Sequence, residues 1–338
     1  MIRSRRLPST AMVGLLVLLL IACSPSTTSP APTSPGVPTA TQPTPTAASV
    51  TPSPTAASST ARRSPAPLRT VRQADLVVRI DTLGELCCPS PAVVVTVDGR
   101  LVTKAGDGTL VERGLAVAGV QRLRDEVLGT GLFDGDRVIG LDPAPGVTPA
   151  PHGISARTFR MWSGTRTVTV SSPVVAQSEE AFYTPSPARA QLDALAARLT
   201  APESWLPASA WAVMVPRPYV ADGFRMVTST EPVGGSQPDV DAVAWPFNPS
   251  IPDFGEPLAA SSGAFVPIGP GTRPLRCATL DASDARAARD AFERGGATVG
   301  EFPDGAFATG LTWRTAGTGI VLFFQALMPD QSSCADAY

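Results

Sequence analysis

Polar and apolar positions alternate in several short stretches after residue 70, which is typical of half-buried β-strands. Residues 75–82 show this alternation and predict a first strand. Residues 92–97 and 100–104 flank Asp98-Gly99, a pair that predicts a hairpin with a two-residue primed turn. Residues 109–117 predict a fourth strand, so this part of the chain favours an antiparallel sheet.

Two later segments have the period of amphipathic helices. In residues 118–128 the apolar side chains recur at helical spacing, and Gly129 is the predicted C-terminal cap. A second helix is predicted after Ser186, a suitable N-cap, with Pro187 in its first turn. Between the two helices, residues 155–171 predict a second hairpin.

The carboxyl-terminal part is rich in proline and glycine, and its periodic segments are few. Residues 210–215 and 223–230 predict short strands. Residues 276–280 predict another strand, 283–294 a helix, and 306–327 a last hairpin. The second strand of that hairpin is apolar on both faces, which predicts a central position in its sheet.

This order of strands, helix, hairpin and helix predicts an α+β fold, with helices packed on one face of an antiparallel sheet. A proline-containing aperiodic stretch suggests a boundary, and we expect one domain over residues 71–205 and a second, β-rich domain over 206–338. A helix, a turn with Phe, Asp and Gly, and a hairpin occur around Phe133 and again around Phe302. Chance or a duplication into two small similar domains would explain this echo.

The amino terminus has the organisation of a signal peptide. Three arginines within the first six residues precede an apolar run at residues 11–22. This run is shorter than the roughly 20 residues that a transmembrane helix needs. It ends in Leu-Ile-Ala-Cys, with a leucine three residues before Cys23 and the small residue Ala22 directly before it. This pattern closely resembles the lipobox of bacterial lipoproteins.

The lipobox resemblance implies transfer of diacylglycerol to the Cys23 thiol and cleavage between Ala22 and Cys23, which removes residues 1–22. Several acyl chains on one residue hold a protein stably at a bilayer, whereas a single chain holds it only marginally. We therefore expect a lipid anchor at the extracytoplasmic face of the cell membrane, with the membrane as a partner through Cys23. The alternative is an ordinary secretory signal with an incidental cysteine.

Residues 23–70 follow the signal peptide and consist almost wholly of Ser, Thr, Pro and Ala after the cysteine. Such a composition has too little apolar surface to offset the entropy of ordering, so we expect a disordered stalk. Its dense proline favours an extended chain with a contour length on the order of 140 Å. Tracts rich in Ser, Thr and Pro are also typical O-glycosylation sites.

Residues 75–135 resemble, in a patchy way, an uncharacterised class of secreted bacterial domains. The shared pattern is a strand, a loop with Cys and Pro, a strand ending in Asp-Gly, another strand, and a helix followed by Gly-Leu-Phe. The similarity covers about a fifth of the chain, and it implies no activity, because none is assigned to that class.

Four cysteines remain if Cys23 carries lipid, and disulfides persist outside the cytoplasm. Cys277 begins a predicted strand and Cys334 follows the last one, so we predict a disulfide between them. Cys87 and Cys88 would then be adjacent partners, and a vicinal disulfide is one outcome. Two free thiols, or cross-pairing with the other two cysteines, are the alternatives. A thiol oxidoreductase is disfavoured, because its active pair is usually spaced Cys-x-x-Cys.

The charge of the chain disfavours nucleic acid as a partner. The net charge is −2 and Lys104 is the only lysine, so no basic field attracts phosphate backbones. His152 is the only histidine, which excludes zinc sites with several histidines. No Gly-x-Ser-x-Gly motif accompanies His152. We therefore expect no cofactor and no metal.

Three further groups of residues have the chemistry of a binding or catalytic site, but their spacing does not match a known type. Asp134, Asp136 and Asp142 form an acidic loop that lacks the distal glutamate of a calcium site, and turn aspartates explain it. Asp239 and Asp241 are too close in sequence for a typical glycosidase pair. Three tryptophans near the predicted boundary could line a groove or pack in a core; they are Trp205, Trp211 and Trp245.

These observations favour a non-catalytic binding or structural lipoprotein of the cell envelope. Its partner would be a small ligand, a cell-wall component or another protein. The alternative is an envelope hydrolase with an unrecognised site made of acidic residues and His152.

Overall fold

Three α-helices and sixteen strands make up the regular structure of the described residues, an α+β architecture as the sequence predicts. The computed structural model describes residues 62–68, 70–83, 90–147, 155–174, 177–184, 186–231, 237–258, 276–312 and 319–334. All of these belong to one compact unit, Ser58–Tyr338. The predictions for Ala22, Cys23, Cys87, Cys88 and His152 lie outside the described residues.

The first sheet has eight strands in the order β10-β4-β3-β2-β1-β7-β8-β5. Neighbouring strands are antiparallel, except that β5 is parallel to β8. The strands are β1 (Leu76–Leu83), β2 (Ser90–Thr96), β3 (Arg100–Lys104), β4 (Leu110–Leu115), β5 (Arg137–Val138), β7 (Ser155–Trp162), β8 (Thr167–Val174) and β10 (Trp211–Pro218). A separate ribbon pairs β6 (Asp142–Pro143) with β9 (Tyr183–Thr184).

Two helices, α1 (Val117–Gly129) and α2 (Pro187–Thr200), cover one face of the first sheet. Alternation along β1 directs Val78 and Ile80 toward the helices, where both are fully buried. Their partners are the leucines and the valine that recur every three or four residues on the helices: Leu123, Val127, Leu192, Leu195 and Leu199. The packing of these periodic positions forms the first core.

The second sheet has six strands in the order β12-β13-β11-β16-β15-β14. They are β11 (Gly223–Glu231), β12 (Glu256–Pro257), β13 (Arg276–Asp281), β14 (Val299–Glu301), β15 (Phe307–Thr312) and β16 (Gly319–Ala326). β16 lies between β11 and β15, which confirms the predicted central strand. α3 (Ala282–Arg294) packs on this sheet. Trp245 fills the core between them, with its ring centroid 5.6 Å from that of Phe292.

A third, smaller core joins the two sheets. It contains apolar side chains on the face of the first sheet that points away from the helices, together with the last residue of β16 and a residue just after this strand. The buried members are Leu76, Val94, Val102, Leu110, Ala326 and Met328. Strands β1 to β4 are therefore covered by helices on one face and by the second half of the chain on the other.

The change from the first sheet to the second lies later in the chain than the sequence suggested. Trp211–Pro218, which we assigned to the domain over residues 206–338, pairs with β4 of the first sheet. The chain therefore passes from the first sheet to the second between β10 and β11. An aperiodic segment shows only where regular strands are interrupted. Which sheet the next strand joins depends on tertiary contacts.

The predicted stalk ends before residue 70. The backbone N–H of Arg63 donates to Pro246 O at 3.1 Å, and its carbonyl accepts from Asn248 N at 3.1 Å. The N–H of Ala66 donates to a carboxylate oxygen of Asp284 at 2.8 Å. Residues 62–68 therefore belong to the folded unit, and their two arginines and Leu68 depart from the Ser, Thr, Pro and Ala composition of the preceding stretch.

Two local predictions are wrong. Gly99 N donates to Thr96 O at 3.0 Å, and Gly99 has a φ of +86° while Asp98 has no positive φ. The β2–β3 connection is thus a three-residue loop with a left-handed glycine, not a two-residue primed turn. At the end of α1, Gly131 and not Gly129 has the left-handed conformation, with a φ of +66°.

The sequence similarity between the segments around Phe133 and Phe302 does not extend to their structures. Phe133 is buried in the first core, whereas Phe302 is 40% exposed. The turn at Phe302 closes the β14–β15 hairpin, since Phe302 N donates to Ala306 O. The turn at Phe133 leads instead to β5, which is parallel to its neighbour.

Candidate ligand-binding cavity beneath the second helix

Helix α2 provides one side of a cavity that opens beside the first core. The helix begins where the sequence predicted, because the Ser186 hydroxyl accepts from Arg189 N at 3.2 Å and Pro187 has no N–H that would need an acceptor. Its buried stripe of leucines and Ala196 faces the sheet. The flank of the helix beside this stripe does not reach the ends of β1 and β8, and a cavity remains.

This cavity has a volume of about 500 Å³ and an apolar floor. Ala92 of β2, Val174 of β8 and Ala197 of α2 form the accessible part of this floor. Ile80, Leu192 and Ala196 also line the cavity, but their side chains are buried. Hydroxyl groups surround it, from Thr82, Ser172 and Thr200. Pockets of 300–1,000 Å³ with an apolar lining and a few polar groups are the usual form of small-molecule sites.

Four charged side chains line the cavity. Arg157 Nη1 donates to an Asp193 carboxylate oxygen at 2.8 Å, a close ion pair. Arg189 Nε is 3.9 Å from the other oxygen of Asp193, and Arg189 Nη1 is 3.4 Å from Ser172 Oγ. Glu180 completes the lining, and its side chain is exposed.

A second hollow, the α1–α2 groove, lies on the opposite flank of α2 and has a volume of about 580 Å³. Arg198 pairs with Glu126 at 2.7 Å, and its guanidinium carbon lies 4.5 Å from the Trp205 ring centroid. The Trp205 indole N–H donates to Arg198 O at 2.9 Å, and Gln191 donates to Thr130 O at 3.0 Å. These polar groups satisfy one another, so the α1–α2 groove offers a ligand fewer available contacts than the cavity does.

The three predicted tryptophans do not line one groove. Trp245 is buried in the second core. Trp205 and Trp211 pack against the first core, and Trp205 alone also lines the α1–α2 groove. Core packing, which the sequence left open as the alternative, therefore accounts for most of their surface.

The acidic candidates act in local structure. Asp134 pairs with Arg137. Asp136 accepts from Thr169 N at 2.7 Å and from Arg166 at 2.6 Å, and these hydrogen bonds lower the pKa of its carboxyl. Asp239 accepts from Asp241 N at 2.9 Å as the N-cap of a short helical turn. Across the described ranges, no three His, Cys, Asp or Glu side chains come together as metal ligands would.

A buried charge cluster of Arg79, Asp81, Arg160 and Asp330 was missed by the sequence analysis. Arg79 Nε donates to Asp81 at 2.7 Å and Nη1 to Asp330 at 2.8 Å, while Arg160 donates to Asp81 at 2.6 Å. Burial alone would raise the pKa of Asp81, but the two guanidinium groups outweigh it and hold that pKa below its usual value. A signal existed, because Arg79 and Asp81 occupy alternate positions in an otherwise apolar strand.

The chain end beside this cluster is held by a disulfide. Cys277 of β13 and Cys334 are bonded, with their Cα atoms 6.0 Å apart, in agreement with the predicted pairing. The segment from Met328 to Cys334 thus contacts the first sheet through Asp330 and the second sheet through the disulfide. With both carboxylates paired and buried, the cluster is a structural link and not an open reaction site.

Together the fold and the cavity define an α+β protein with a small-molecule-sized hollow between a helix and the end of a sheet. No family model matches the chain, and no curated protein or solved structure matches it significantly. Within the part of the chain that the structure describes, no helix is long and apolar enough to cross a bilayer.

Proposed function

We propose that this protein is a lipid-anchored extracytoplasmic binding module of the cell envelope, with the cavity beneath α2 as its ligand site. The observation that carries the proposal is the cavity itself, about 500 Å³ in volume, with an accessible apolar floor and convergent polar groups. A volume of this size matches a small molecule and not a macromolecular surface.

The proposed localisation at the membrane rests on the amino-terminal sequence. Cys23 follows an apolar run and a small residue, as the acceptor of a bacterial lipid anchor does. The proline-rich stretch between Cys23 and Arg62 would act as an extended spacer that holds the folded unit at a distance from the membrane. A tether of this kind suits a protein that captures a ligand near the surface of the cell.

The chemistry of the cavity favours binding over hydrolysis. Ser172 is the hydroxyl nearest the charged groups, and its contacts are Pro173 O and Arg189 Nη1, each at 3.4 Å. An activated nucleophile needs a base within hydrogen-bond reach, and a guanidinium cannot accept a proton. The lining carboxylates, Asp193 and Glu180, make no hydrogen bond to Ser172 among the described contacts, so no specific observation favours the hydrolase alternative.

Blocking the cavity tests the proposed site. Ala197 and Ala194 are both exposed on α2, and Ala197 lines the cavity whereas Ala194 lines the α1–α2 groove. We expect the full chain, extracted from membranes of its host and studied by native mass spectrometry, to carry a small-molecule adduct. Ala197→Trp should lose the adduct and Ala194→Trp should retain it. An adduct that survives Ala197→Trp, or a wild-type protein without one, argues against the proposal.

Removing the acceptor thiol tests the proposed lipid anchor independently of the cavity. Cys23→Ala should abolish lipid attachment and cleavage after Ala22, so the precursor should accumulate with an unchanged amino terminus. Metabolic labelling with a fatty acid and the mass of the intact protein measure both effects. Normal processing and normal partition into detergent in this variant would exclude a lipid anchor on Cys23.

A further inference from the structure

Arg189 has an unusual environment for a largely buried cation. Its side chain is 17% exposed, and its side-chain contacts are Ser172 Oγ at 3.4 Å and Asp193 at 3.9 Å. Both distances exceed the 2.7–3.2 Å of a normal N–H···O hydrogen bond. A guanidinium carries five N–H donors in a planar fork. Arg189 therefore presents donors to the cavity that the surrounding described residues engage only loosely.

The charges around the cavity leave this guanidinium incompletely neutralised. Asp193 is 2.8 Å from Arg157, so this carboxylate mainly offsets the Arg157 charge. Glu180 is exposed, and water screens its charge strongly. Arg189 is the less exposed of the two cations, so water screens its charge less, and it favours an acid group on an occupant.

The apolar lining of the cavity indicates which kind of ligand it can bind. Ala92 and Val174 are partly exposed and Ala197 is exposed, so the floor offers an apolar surface. Such a floor contributes affinity by removing apolar ligand surface from water. A fully hydrophilic anion such as inorganic phosphate would leave this floor unused.

We propose that the cavity binds an amphipathic organic monoanion, whose acid group pairs with the Arg189 guanidinium and whose apolar part lies on Ala92, Val174 and Ala197. This inference rests on the proposed function, because it names the ligand class of the same cavity. Arg guanidinium recognises a carboxylate bidentately, through two parallel N–H···O bonds.

A matched pair of probes tests the ligand class. The mature, full-length protein in lipid nanodiscs is titrated calorimetrically with 4-phenylbutanoate and with its neutral amide, and empty nanodiscs give the background. We expect the acid to bind at least tenfold more tightly than the amide. Arg189→Gln should lower the affinity for the acid at least tenfold and leave the amide unchanged. Arg189→Lys should recover part of the loss, because it retains the charge without the planar fork.

Arg122→Gln is the control, since Arg122 lines the α1–α2 groove and loses the same charge. It should leave the binding of both probes unchanged, and a thermal melt establishes that each variant folds. Equal affinity for acid and amide, an Arg189→Gln variant that binds the acid normally, or a wild-type protein that binds neither probe overturns the ligand class.

Ala197→Trp separates this inference from the proposed function. If acid and amide bind equally and Ala197→Trp blocks both, the cavity is a binding site but the ligand is not an anion. If Ala197→Trp leaves the binding of both probes unchanged, the cavity is not the site, and both proposals fail.

Discussion

Single residues decide how closely the elements of this protein approach one another. Gly119 lies in the first turn of α1, where a β-carbon would be 2.1 Å from the carbonyl oxygen of Ala210. The N–H of Ala116, just before α1, donates to the same carbonyl at 2.9 Å. The helix start and the segment before β10 are therefore in backbone contact, which a side chain at position 119 would prevent.

Gly119→Ala should destabilise the protein although alanine is the better helix former. Alanine gains up to about 1 kcal/mol in helix propensity, but overpacking against a rigid backbone oxygen costs about 1–3 kcal/mol. Gly129→Ala in the same helix is the control, because no atom lies within 4 Å of its β-carbon position. Urea unfolding should show a loss of stability for Gly119→Ala and no loss for Gly129→Ala. Equal stability of the two variants would contradict the contact.

At the scale of elements, β1 combines two functions of an alternating strand. One face contributes Val78 and Ile80 to the first core, and the other places Arg79 and Asp81 in the buried charge cluster. Removing one member of a buried ion pair leaves an uncompensated charge, which costs about 3–5 kcal/mol. The cluster therefore fixes which part of the chain can cover this face of the sheet.

Asp81 should make the stability of the protein sensitive to acid. Its pKa in the folded state is lowered by Arg79 and Arg160 despite burial, whereas in the unfolded chain it is about 3.9. The stabilisation is therefore complete above about pH 5 and is lost progressively as the pH falls past the unfolded-state pKa and through the lower, folded-state pKa. The free energy of unfolding should decline between about pH 5 and pH 2, and more steeply in the wild type than in Asp81→Asn.

Denaturant titrations at several pH values measure this slope. Asp81→Asn should also be less stable than the wild type at neutral pH, because Arg79 and Arg160 lose a carboxylate partner. Asp290→Asn on the exposed side of α3 leaves the cluster intact and should keep the wild-type slope. A wild-type slope in Asp81→Asn would show that other groups cause the acid dependence.

For the whole molecule, the carboxyl-terminal segment is the clearest link between the two sheets. Asp330 pairs with Arg79 in the first sheet, and Cys334 is bonded to Cys277 in the second. Met328 packs in the third core between these two attachments. The two halves thus form one compact unit although each has a sheet and a core of its own.

Loss of the disulfide should weaken the whole unit. The bonded cysteines are 57 positions apart, and closing a loop of this size in the unfolded chain contributes at most about 4 kcal/mol. The double variant Cys277→Ser/Cys334→Ser should lose up to this amount in urea unfolding. Wild-type protein unfolded in the presence of a reductant should approach the variant. Wild-type stability in the variant would show that the ion pair and packing suffice.

The sequence predicted the parts of this protein that depend on local periodicity. Alternation located β1, helical spacing and Ser186 located α2, and the apolar run at residues 319–326 indicated a central strand. These patterns reflect burial of one face, which the order of residues determines directly. The α+β class follows from the same signals, and the spacing of Cys277 and Cys334 indicated their pairing.

Only the tertiary structure decided the features that depend on distant partners. It assigned β10 to the first sheet, brought Asp330 to Arg79, and left a cavity where α2 does not reach the ends of β1 and β8. The reason is physical: periodicity determines that a face is buried, but the identity of what buries it depends on shape and charge elsewhere in the chain. Arg189 illustrates the difference, since the sequence places it in a helix and only the fold directs its guanidinium to the cavity.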